Sequence, residues 1–536
     1  MNRKRFLKIV LITLAVIVAV IVIAAIVIRS MLTARFVPKN LIDAAPDRIS
    51  DTIQVDLSSS LQKQVTGGVI EGTTTETAGV QMYLGIPYAA PPVGGLRWRP
   101  AQGIPAWEGV RECKICGPNP IQGDNEVKPG AYGAEGVPDP SVGYSEDCLY
   151  LNVWANGAVT EGTPVVFYIP GGAWVGGSNS VENYNGEYLA SQGVVFVSVN
   201  YRLGIFGWLG SDVLEAEDSN GSTGNYGFTD ILKALEWVQN NIAAFGGDPK
   251  NVTLYGGSAG GNLIDLLMVS PKAEGLFQRA VSMSYPIDMI SPAWDKDFKK
   301  SHGNQVMPDA ETLEKLRAMP VKDLYRVDGM LGAYAFSGPT IDGYYIDKTY
   351  AEAIAAGWGA DIDYMTGFNY NDDFPGTGDA QFASMIAEAT ETVSEGDILR
   401  AMYDAVAAQR AKGGAGSTYL LQFEHPTPGP DESQGAVHGG DAQYMLHYFS
   451  PNRADWWMDA DYRMGELASA YFINFCRTGN PNGTTAAGEP LPRWEASRDS
   501  ASYFAMGPVC EMRKIDPERL SETQDYLTEK GHEFFD

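Results

Sequence analysis

The sequence predicts an α/β protein in which a large, mostly parallel sheet is flanked by helices on both faces. Residues 164–170 and 193–199 are continuous apolar segments rich in β-branched side chains, a pattern typical of strands buried on both faces. Residues 226–245 carry apolar side chains at helical spacing, and another short apolar strand follows at residues 252–255. This alternation of strands and helices predicts parallel strands joined by crossover helices.

The N-terminal segment differs in composition from the rest of the chain. Residues 1–8 are basic, and residues 9–28 are apolar apart from Thr13. A helix of that length spans about 30 Å, which is the thickness of a bilayer's hydrocarbon core, whereas the apolar part of a cleaved signal peptide is shorter. We therefore expect an uncleaved transmembrane anchor and then a stalk over residues 29–61. A slight excess of positive charge before the span favours an extracytoplasmic body.

The remaining residues, 62–536, are predicted to form one large domain, because no linker-like segment divides them. Of the whole chain of 536 residues, 44% are hydrophobic, which is ample for a large core. Residues 382–410 and 466–476 are predicted to be mostly helical. Lys and Arg number 39 against 66 Asp and Glu, so the net charge of −27 argues against binding to nucleic acid. The oligomeric state is left open by the sequence.

Cysteine usage points to a disulfide rather than to a metal site. Cys113 and Cys116 form a C-x-x-C pair, but without a second pair or neighbouring histidines it makes a poor zinc site. A redox motif is an alternative interpretation. If the body faces the outside, a disulfide from Cys148 to Cys113 or Cys116 is expected.

The segment Gly256-Gly-Ser-Ala-Gly260 contains the pattern G-x-S-x-G. It lies between the strand at residues 252–255 and an apolar helix start at residues 262–268. A sharp turn between strand and helix lifts a serine hydroxyl off the sheet, which makes Ser258 a candidate nucleophile. The alternative interpretation is an ordinary strand–helix turn with a capping serine.

A serine nucleophile requires a general base and a group that orients it. The histidines are His302, His425, His438, His447 and His532. His438 is the candidate base, because small residues flank it and predict a loop that exposes the imidazole. Asp372 and Asp373 are candidate acids in a loop after an apolar segment. The resulting chain order Ser, Asp, His is that of α/β-hydrolases.

Donors for a developing oxyanion are predicted in two glycine-rich turns. Gly171 and Gly172 follow the buried strand at residues 164–170, and Ala259 follows the candidate nucleophile. The backbone N–H groups of these three residues could converge on one oxygen, since glycines permit close approach of the backbone. A plain loop turn at residues 171–172 is the alternative.

Several further motifs, taken with the elbow and the His438 segment, resemble the type-B carboxylesterases, the carboxylesterase/cholinesterase family of α/β-hydrolases. The resemblance covers roughly residues 65–500 and is strongest to bacterial para-nitrobenzyl-esterase-like members. The motifs are Leu84-Gly-Ile-Pro-Tyr-Ala-Ala-Pro-Pro-Val-Gly-Gly-Leu-Arg-Trp98, Glu146-Asp-Cys-Leu-Tyr-Leu-Asn-Val153, Asn200-Tyr-Arg-Leu-Gly204, Phe245-Gly-Gly-Asp-Pro249 and Thr478-Gly-Asn-Pro-Asn-Gly483.

The resemblance implies a serine esterase that acts on small-molecule esters without metal or organic cofactor. It implies Ser258 as nucleophile, His438 as base and Asp372 as acid, with Asp373 as the alternative acid. A non-catalytic cell-surface interaction protein on the same fold is the alternative function.

The same resemblance bears on the cysteines and on three departures from the family pattern. Cys148 matches a family disulfide cysteine, but Pro120 stands at the usual partner position, which implies Cys116 or Cys113 as partner. Pro170 replaces a frequent histidine, Gly257 replaces the usual glutamate before the nucleophile, and the acid is an aspartate where glutamate is common.

Overall fold

The computed structural model describes most of the chain, and the predicted anchor at residues 9–28 lies outside the described part. Among the described residues, no helix combines the length and the apolar composition needed to cross a bilayer. The described residues are 38, 40–50, 52–123, 137–159, 161–285, 294–331, 338–372, 393–428, 435–497 and 501–531.

From residue 163 onward strands and α-helices intersperse along the body, as predicted, whereas the described residues before it contain strands and short 3₁₀ turns. The strands are β1 Ile49–Ser50, β2 Gln62–Val65, β3 Gly68–Glu71, β4 Thr73–Thr74, β5 Val80–Pro87, β6 Val110–Glu112, β7 Tyr150–Asn156, β8 Thr163–Tyr168, β9 Val195–Val199, β10 Gly247–Gly257, β11 Arg279–Met283, β12 Trp294–Asp295, β13 Thr340–Ile341, β14 Asp363–Asn369, β15 Thr418–Phe423, β16 Ser502–Met506 and β17 Glu511–Lys514. The α-helices are α1 Glu187–Ser191, α2 Gly204–Trp208, α3 Asp212–Glu217, α4 Tyr226–Asn241, α5 Ala259–Met268, α6 Lys296–Val306, α7 Ala310–Ala318, α8 Val321–Leu331, α9 Tyr350–Ala355, α10 Glu395–Gly413, α11 Ala442–Met445, α12 Asp459–Thr478 and α13 Pro517–Glu529.

The centre of the molecule is an eleven-stranded mixed sheet with the order β17-β16-β15-β14-β11-β10-β8-β9-β7-β5-β4. Neighbouring strands from β16 to β9 run parallel. The pairs at both margins run antiparallel. The carboxyl ends of the parallel strands therefore meet at one edge of the sheet, where open α/β sheets place their ligand sites.

Both faces of the sheet are covered by side chains from alternating positions of the strands. In β8, Val165 and Phe167 belong to one buried hydrophobic cluster, while Val166 and Tyr168 belong to another. The first cluster includes residues of α4 and α5, and the second includes residues of α12. This double burial explains why β8 and β9 are continuous apolar segments without alternation.

The predicted helices agree with the structure where it describes them. Residues 226–245 form α4 followed by one 3₁₀ turn, Ile242–Phe245. Residues 466–476 lie within α12, and α10 covers the second part of the segment predicted at residues 382–410. Residues 382–392 lie outside the described residues.

Part of the segment predicted as a stalk contacts the body. β1 pairs with β6 in a second sheet of order β1-β6-β3-β2. The Ala45 N–H donates to Asp147 Oδ2 at 3.0 Å, and Arg48 Nη2 donates to the carbonyl oxygen of Cys116 at 3.1 Å. The domain boundary at residue 61 stays a prediction.

The structure contradicts the predicted disulfide, because all five cysteines are free thiols. Cys148 and Cys113 are buried in the apolar core, whereas the Cys116 sulfur accepts a hydrogen bond from Asn152 Nδ2 at 3.5 Å. Burial raises the pKa of the Cys113 thiol to about 12 and that of Cys116 to about 11. Thiols held protonated are poor nucleophiles for disulfide exchange, so the redox interpretation of the C-x-x-C pair also lacks support.

Candidate active site

The G-x-S-x-G segment forms a sharp turn from β10 into α5. Ser258 adopts φ 56° and ψ −131°, a conformation that residues other than glycine rarely adopt. Its backbone is fixed on both sides, since its N–H donates to the Met283 carbonyl at 2.8 Å and its carbonyl accepts from the Asn262 N–H at 3.1 Å. Its side chain makes no capping hydrogen bond to α5. The alternative of a capping serine is therefore not realised.

The two flanking glycines of this segment are required by the close approach of the end of β8. A Cβ atom on Gly260 would overlap the carbonyl oxygen of Ile169, and one on Gly256 would lie 2.7 Å from the same oxygen. Gly257 is different, because the nearest atom to an added Cβ is the Met283 carbonyl oxygen at 3.7 Å. A Cβ atom therefore fits without overlap at position 257, where the family that the sequence resembles usually has a glutamate.

His438 and Asp372 form a hydrogen-bonded pair. His438 Nδ1 lies 2.5 Å from Asp372 Oδ1, which is a short distance for a hydrogen bond. The Asp372 side chain is fully buried, whereas 18% of the His438 side chain is exposed. The two loops are also joined through the backbone, because the Asn371 N–H donates to the Ala436 carbonyl at 2.8 Å. A proton on Nδ1 shared with Asp372 leaves Nε2 as the acceptor of the ring.

A buried polar network that the sequence did not predict lies behind this pair. The Asn369 N–H donates to Asp372 Oδ2 at 2.9 Å. The Asn369 side-chain amide donates to Ser284 Oγ at 3.0 Å and to Asp441 Oδ1 at 2.9 Å. Burial, with a smaller contribution from the negative charge of Asp372, raises the pKa of Asp441 to about 6, while the hydrogen bond from Asn369 and the charge of His438 oppose the shift. The signal available in the sequence was the position of Asp441 three residues after His438.

The loop that carries Gly171 and Gly172 also approaches the nucleophile. A Cβ on Gly171 would lie 2.6 Å from the carbonyl oxygen of Gly257, so only a glycine fits at this point, and it would lie 3.2 Å from Ser258 Cβ. The loop continues through Ala173 and Trp174, whose φ angles of 52° and 59° are left-handed. Strained residues of this kind cluster at functional sites. The Trp174 ring packs edge-to-face on Tyr285 with their centroids 6.0 Å apart.

The other candidate residues have different surroundings. His425 is bonded to Asp461, His447 stacks on Tyr188, and His302 Nδ1 lies 2.9 Å from the carbonyl oxygen of Phe298 in its own helix. Asp373 and His532 lie outside the described residues. Within the described ranges, no cluster of three or more His, Cys, Asp or Glu side chains could hold a metal ion.

Ser258, Asp372 and His438 follow strands that are close together in the sheet. Ser258 comes directly after β10, Asp372 three residues after β14, and His438 in the longer connection after β15. The sheet order β15-β14-β11-β10 places these connections at one edge. The arrangement provides a strained serine, a histidine–aspartate pair and a glycine-rich loop in one region.

Comparison with known proteins gives the family. Fumonisin B1 esterase of Sphingopyxis macrogoltabida is 37% identical over 314 residues, which are 58% of this chain and 56% of that protein. Crystal protein of Dictyostelium discoideum is 33% identical over 318 residues, which are 57% of this chain and 54% of that protein. The chain thus matches about half the length of these two relatives. Liver carboxylesterase 1 of Oryctolagus cuniculus is 28% identical over 505 residues, which are 81% of this chain and 86% of that protein.

A sequence model of the Carboxylesterase family matches residues 59–392 and 377–516. These matches include the Ser258 turn, the Gly171 loop, Asp372 and the His438 segment. They cover well over half of the chain and contain the whole of the central sheet, from β4 to β17. The protein therefore belongs to the carboxylesterase family, and the α/β-hydrolase fold that the family implies agrees with the mixed sheet and its flanking helices.

Proposed function

We propose that the protein is a serine carboxylic-ester hydrolase that acts through an acyl-enzyme. The observation that carries the proposal is the juxtaposition of Ser258, in its strained turn, with the His438–Asp372 pair at one sheet edge. Family membership and the esterase names of two relatives support a carboxylic ester as the substrate. Small-molecule esters are the proposed substrate class.

In the proposed mechanism, Ser258 Oγ attacks the ester carbonyl while His438 Nε2 accepts its proton. Asp372, bonded to Nδ1, holds the ring in the required tautomer and stabilises the imidazolium. The tetrahedral intermediate collapses to an acyl-enzyme as the imidazolium returns the proton to the departing alcohol. Water then attacks the acyl carbonyl with His438 as base, and the acid product leaves with regeneration of Ser258. These steps require no metal or organic cofactor.

We propose the backbone N–H groups of Gly171, Gly172 and Ala259 as donors to the developing oxyanion. The closeness of Gly171 to Ser258 supports a role for its loop. Ala259 is the first residue of α5, where N–H groups lack partners within the helix and the helix dipole favours negative charge. Donors fixed before the reaction stabilise the transition state without reorganisation.

The chemical test is labelling with a fluorophosphonate probe, which reacts with activated serines. Intact protein is expected to be labelled once and to hydrolyse a short-chain primary ester, and Ser258→Ala is expected to lose labelling and about 10³–10⁶ in turnover. Ser270→Ala is a matched control. Ser270 lies two residues beyond the end of α5, and its hydroxyl donates to the Tyr345 carbonyl oxygen. Labelling that survives in Ser258→Ala would refute the assignment. Folded wild-type protein that neither labels nor hydrolyses any ester would favour the non-catalytic interaction protein.

We also propose that residues 9–28 anchor the protein in the membrane with the body outside the cytoplasm. The apolar length of this segment and the positive charges before it support the proposal. Protease added to intact cells is expected to release the catalytic body. Protection of the body until the cells are lysed would contradict this orientation.

A further inference from the structure

We propose that residues 40–50, which we call the strap, position the oxyanion loop of the active site, residues 170–177. The strap includes β1 and precedes residue 59, where the match to the Carboxylesterase family model begins. The inference rests on the proposed function and on the oxyanion donors proposed in that loop. The strap does not contact the reacting atoms in this scheme. It acts by holding a second segment against the loop.

The first support is a pair of hydrogen bonds from the strap to residues 115–122, which we call the inner segment. Arg48 Nη1 donates to the Ile115 carbonyl oxygen at 2.5 Å, and Arg48 Nη2 donates to the Cys116 carbonyl oxygen at 3.1 Å. Hydrogen bonds from a charged group are stronger than those between neutral groups. Arg48 therefore fixes the beginning of the inner segment.

The second support is a backbone ladder that joins the other end of the strap to the inner segment. The Ile42 N–H donates to the Tyr144 carbonyl oxygen at 2.9 Å, and the Tyr144 N–H donates to the Asn40 carbonyl oxygen at 2.9 Å. On the other side of this ladder, Asn119 pairs with Tyr144 in a parallel bridge. The strap thus holds the inner segment at a second point, in its middle.

The inner segment in turn holds the end of the oxyanion loop through buried side chains. Gln122 Nε2 donates to the Gly177 carbonyl oxygen at 2.8 Å, and the Gly177 N–H donates back to Gln122 Oε1 at 3.0 Å. Ser178 Oγ donates to Asn119 Oδ1 at 2.7 Å. Gln122, Asn119 and Ser178 are almost completely buried. Breaking such bonds leaves polar groups unpaired away from water, so Gly177 is held firmly.

Gly177 packs directly on the part of the loop that carries the proposed donors. A Cβ atom on Gly177 would lie 2.2 Å from the Gly171 carbonyl oxygen, so the backbone of Gly177 lies against that carbonyl. The Gly171 carbonyl and the Gly172 N–H belong to one planar peptide group. A displacement of Gly177 therefore turns the Gly172 N–H, which is a proposed oxyanion donor. The contacts form a contiguous path, and measured coupling is needed to show that it carries energy.

The test removes the bonds of Arg48 in the full-length protein. Arg48→Met keeps an apolar stem and leaves no donor for the two carbonyl groups. For a short-chain primary ester we expect kcat to fall about tenfold and KM to stay within about twofold, because the donors act on the transition state. A trifluoromethyl ketone forms an adduct with an active serine that carries an oxyanion. Its affinity is expected to fall by the same factor as kcat/KM.

The conservative variant Arg48→Lys retains a cationic donor and is expected to recover part of the loss in Arg48→Met. A purely structural role would lower the fraction of folded enzyme and leave the rate per labelled site unchanged. Rates are therefore normalised by fluorophosphonate titration. Unchanged kcat together with unchanged ketone affinity in Arg48→Met would overturn the proposal.

Hydrogen exchange followed by mass spectrometry separates this proposal from the proposed function, because it needs no turnover. In Arg48→Met the backbone amides of residues 171–180 are expected to exchange about tenfold faster than in the wild type, even if no ester is hydrolysed. Equal exchange in the two proteins would refute support of the loop by the strap. Wild-type protein that shows no esterase activity would refute the proposed function instead.

Arg477→Met is the matched control. Arg477 Nη2 also joins two distant segments through a backbone carbonyl, that of Gln192 at 2.6 Å, but it lies near the end of α12 and outside the strap. This variant is expected to match the wild type in kcat, in ketone affinity and in exchange of residues 171–180. Losses as large as those of Arg48→Met would contradict a specific role of the strap.

If Arg48→Met does not fold, the wild-type protein decides. Coupling between two sites is reciprocal, so a ligand that needs the ordered oxyanion loop also stabilises the strap. The N–H groups of Ile42 and Ala45 are bonded to Tyr144 and Asp147. The strap is therefore expected to exchange more slowly in the ketone adduct than in the free protein. Identical exchange of the strap in the two states would overturn the proposal.

Discussion

The described part of the C-terminal half contains two histidine–aspartate pairs, and we propose a catalytic role for one of them alone. His438 pairs with Asp372 at 2.5 Å, and His425 pairs with Asp461 at 2.8 Å. Both carboxylates are almost completely buried. A residue pair of the right chemistry at the right distance is therefore not enough to identify a catalytic base.

The difference lies in which ring nitrogen each histidine uses. His438 bonds its carboxylate through Nδ1, which is the arrangement that the proposed mechanism requires for proton transfer at Nε2. His425 bonds Asp461 through Nε2, and only 9% of its side chain is exposed. Asp461 also accepts from Tyr444 Oη at 2.9 Å and from the Met458 N–H at 2.8 Å. This second pair thus joins the chain after β15 to α11 and α12, and we interpret it as structural.

The strongest test of the difference between the two pairs is to remove each imidazole in turn. His438→Ala is expected to lower kcat by about 10³–10⁶, because it removes the proposed general base. His425→Ala is expected to keep kcat within about tenfold of wild type in the fraction that is folded. Active-site titration with a fluorophosphonate on the wild type and His425→Ala normalises the rates to folded enzyme. A loss in His425→Ala equal to that in His438→Ala would show that the two pairs act together.

Removing the second carboxylate is expected to affect stability rather than chemistry. Asp461→Ala leaves His425 and Tyr444 without their shared acceptor, and loss of one partner of a buried pair typically costs about 3–5 kcal/mol of unfolding free energy. Urea denaturation followed by fluorescence measures the change. Asp372→Asn is the matched comparison. We expect it to lower kcat by about 10⁴-fold and to lower the free energy of unfolding by less than Asp461→Ala does.

The pH dependence of the unfolding free energy tests whether Asp461 stabilises the fold as an ionised carboxylate. Burial raises its pKa, but the hydrogen bonds from His425, Met458 and Tyr444 outweigh burial and lower the pKa below the ordinary aspartate value of 3.8. A carboxylate with a lowered pKa stabilises the fold at pH values above its unfolded pKa, and this contribution disappears as the pH falls through the folded pKa. The stability difference between wild type and Asp461→Ala should therefore shrink below pH 3.8. A difference that is constant from neutral pH to acid would contradict the ionic account.

The contrast between the pairs also shows what the sequence could and could not predict. Continuous apolar segments predicted β8 and β9, and the G-x-S-x-G pattern predicted the turn at Ser258, since both depend on local sequence. Small residues flank His438 but not His425, and this difference in the neighbouring sequence predicted that His438 lies on an exposed loop. The Asp461 pair and the Asn369 network join segments 36 to 85 residues apart, so no local pattern announces them. The prediction of a disulfide was wrong for the same reason. Whether two thiols meet depends on the packing of the core and not on the neighbouring sequence.

The smallest expected effect concerns one hydroxyl of the second pair. Tyr444 lies in α11, directly after the His438 segment, and its hydroxyl bonds Asp461. Tyr444→Phe keeps the packing of the ring against His425, where the centroids are 5.1 Å apart, and removes that bond together with the longer contact of the hydroxyl to the Pro426 carbonyl oxygen at 3.4 Å. Because Asp461 retains its bonds to His425 and Met458, we expect a loss of about 1–2 kcal/mol of unfolding free energy. The position of α11 is expected to hold, so kcat and KM should stay within about twofold of wild type. Urea denaturation and steady-state kinetics on the same preparation check both expectations. A large fall in kcat at nearly unchanged stability would mean that the second pair positions His438, and the two regions would then be parts of one site.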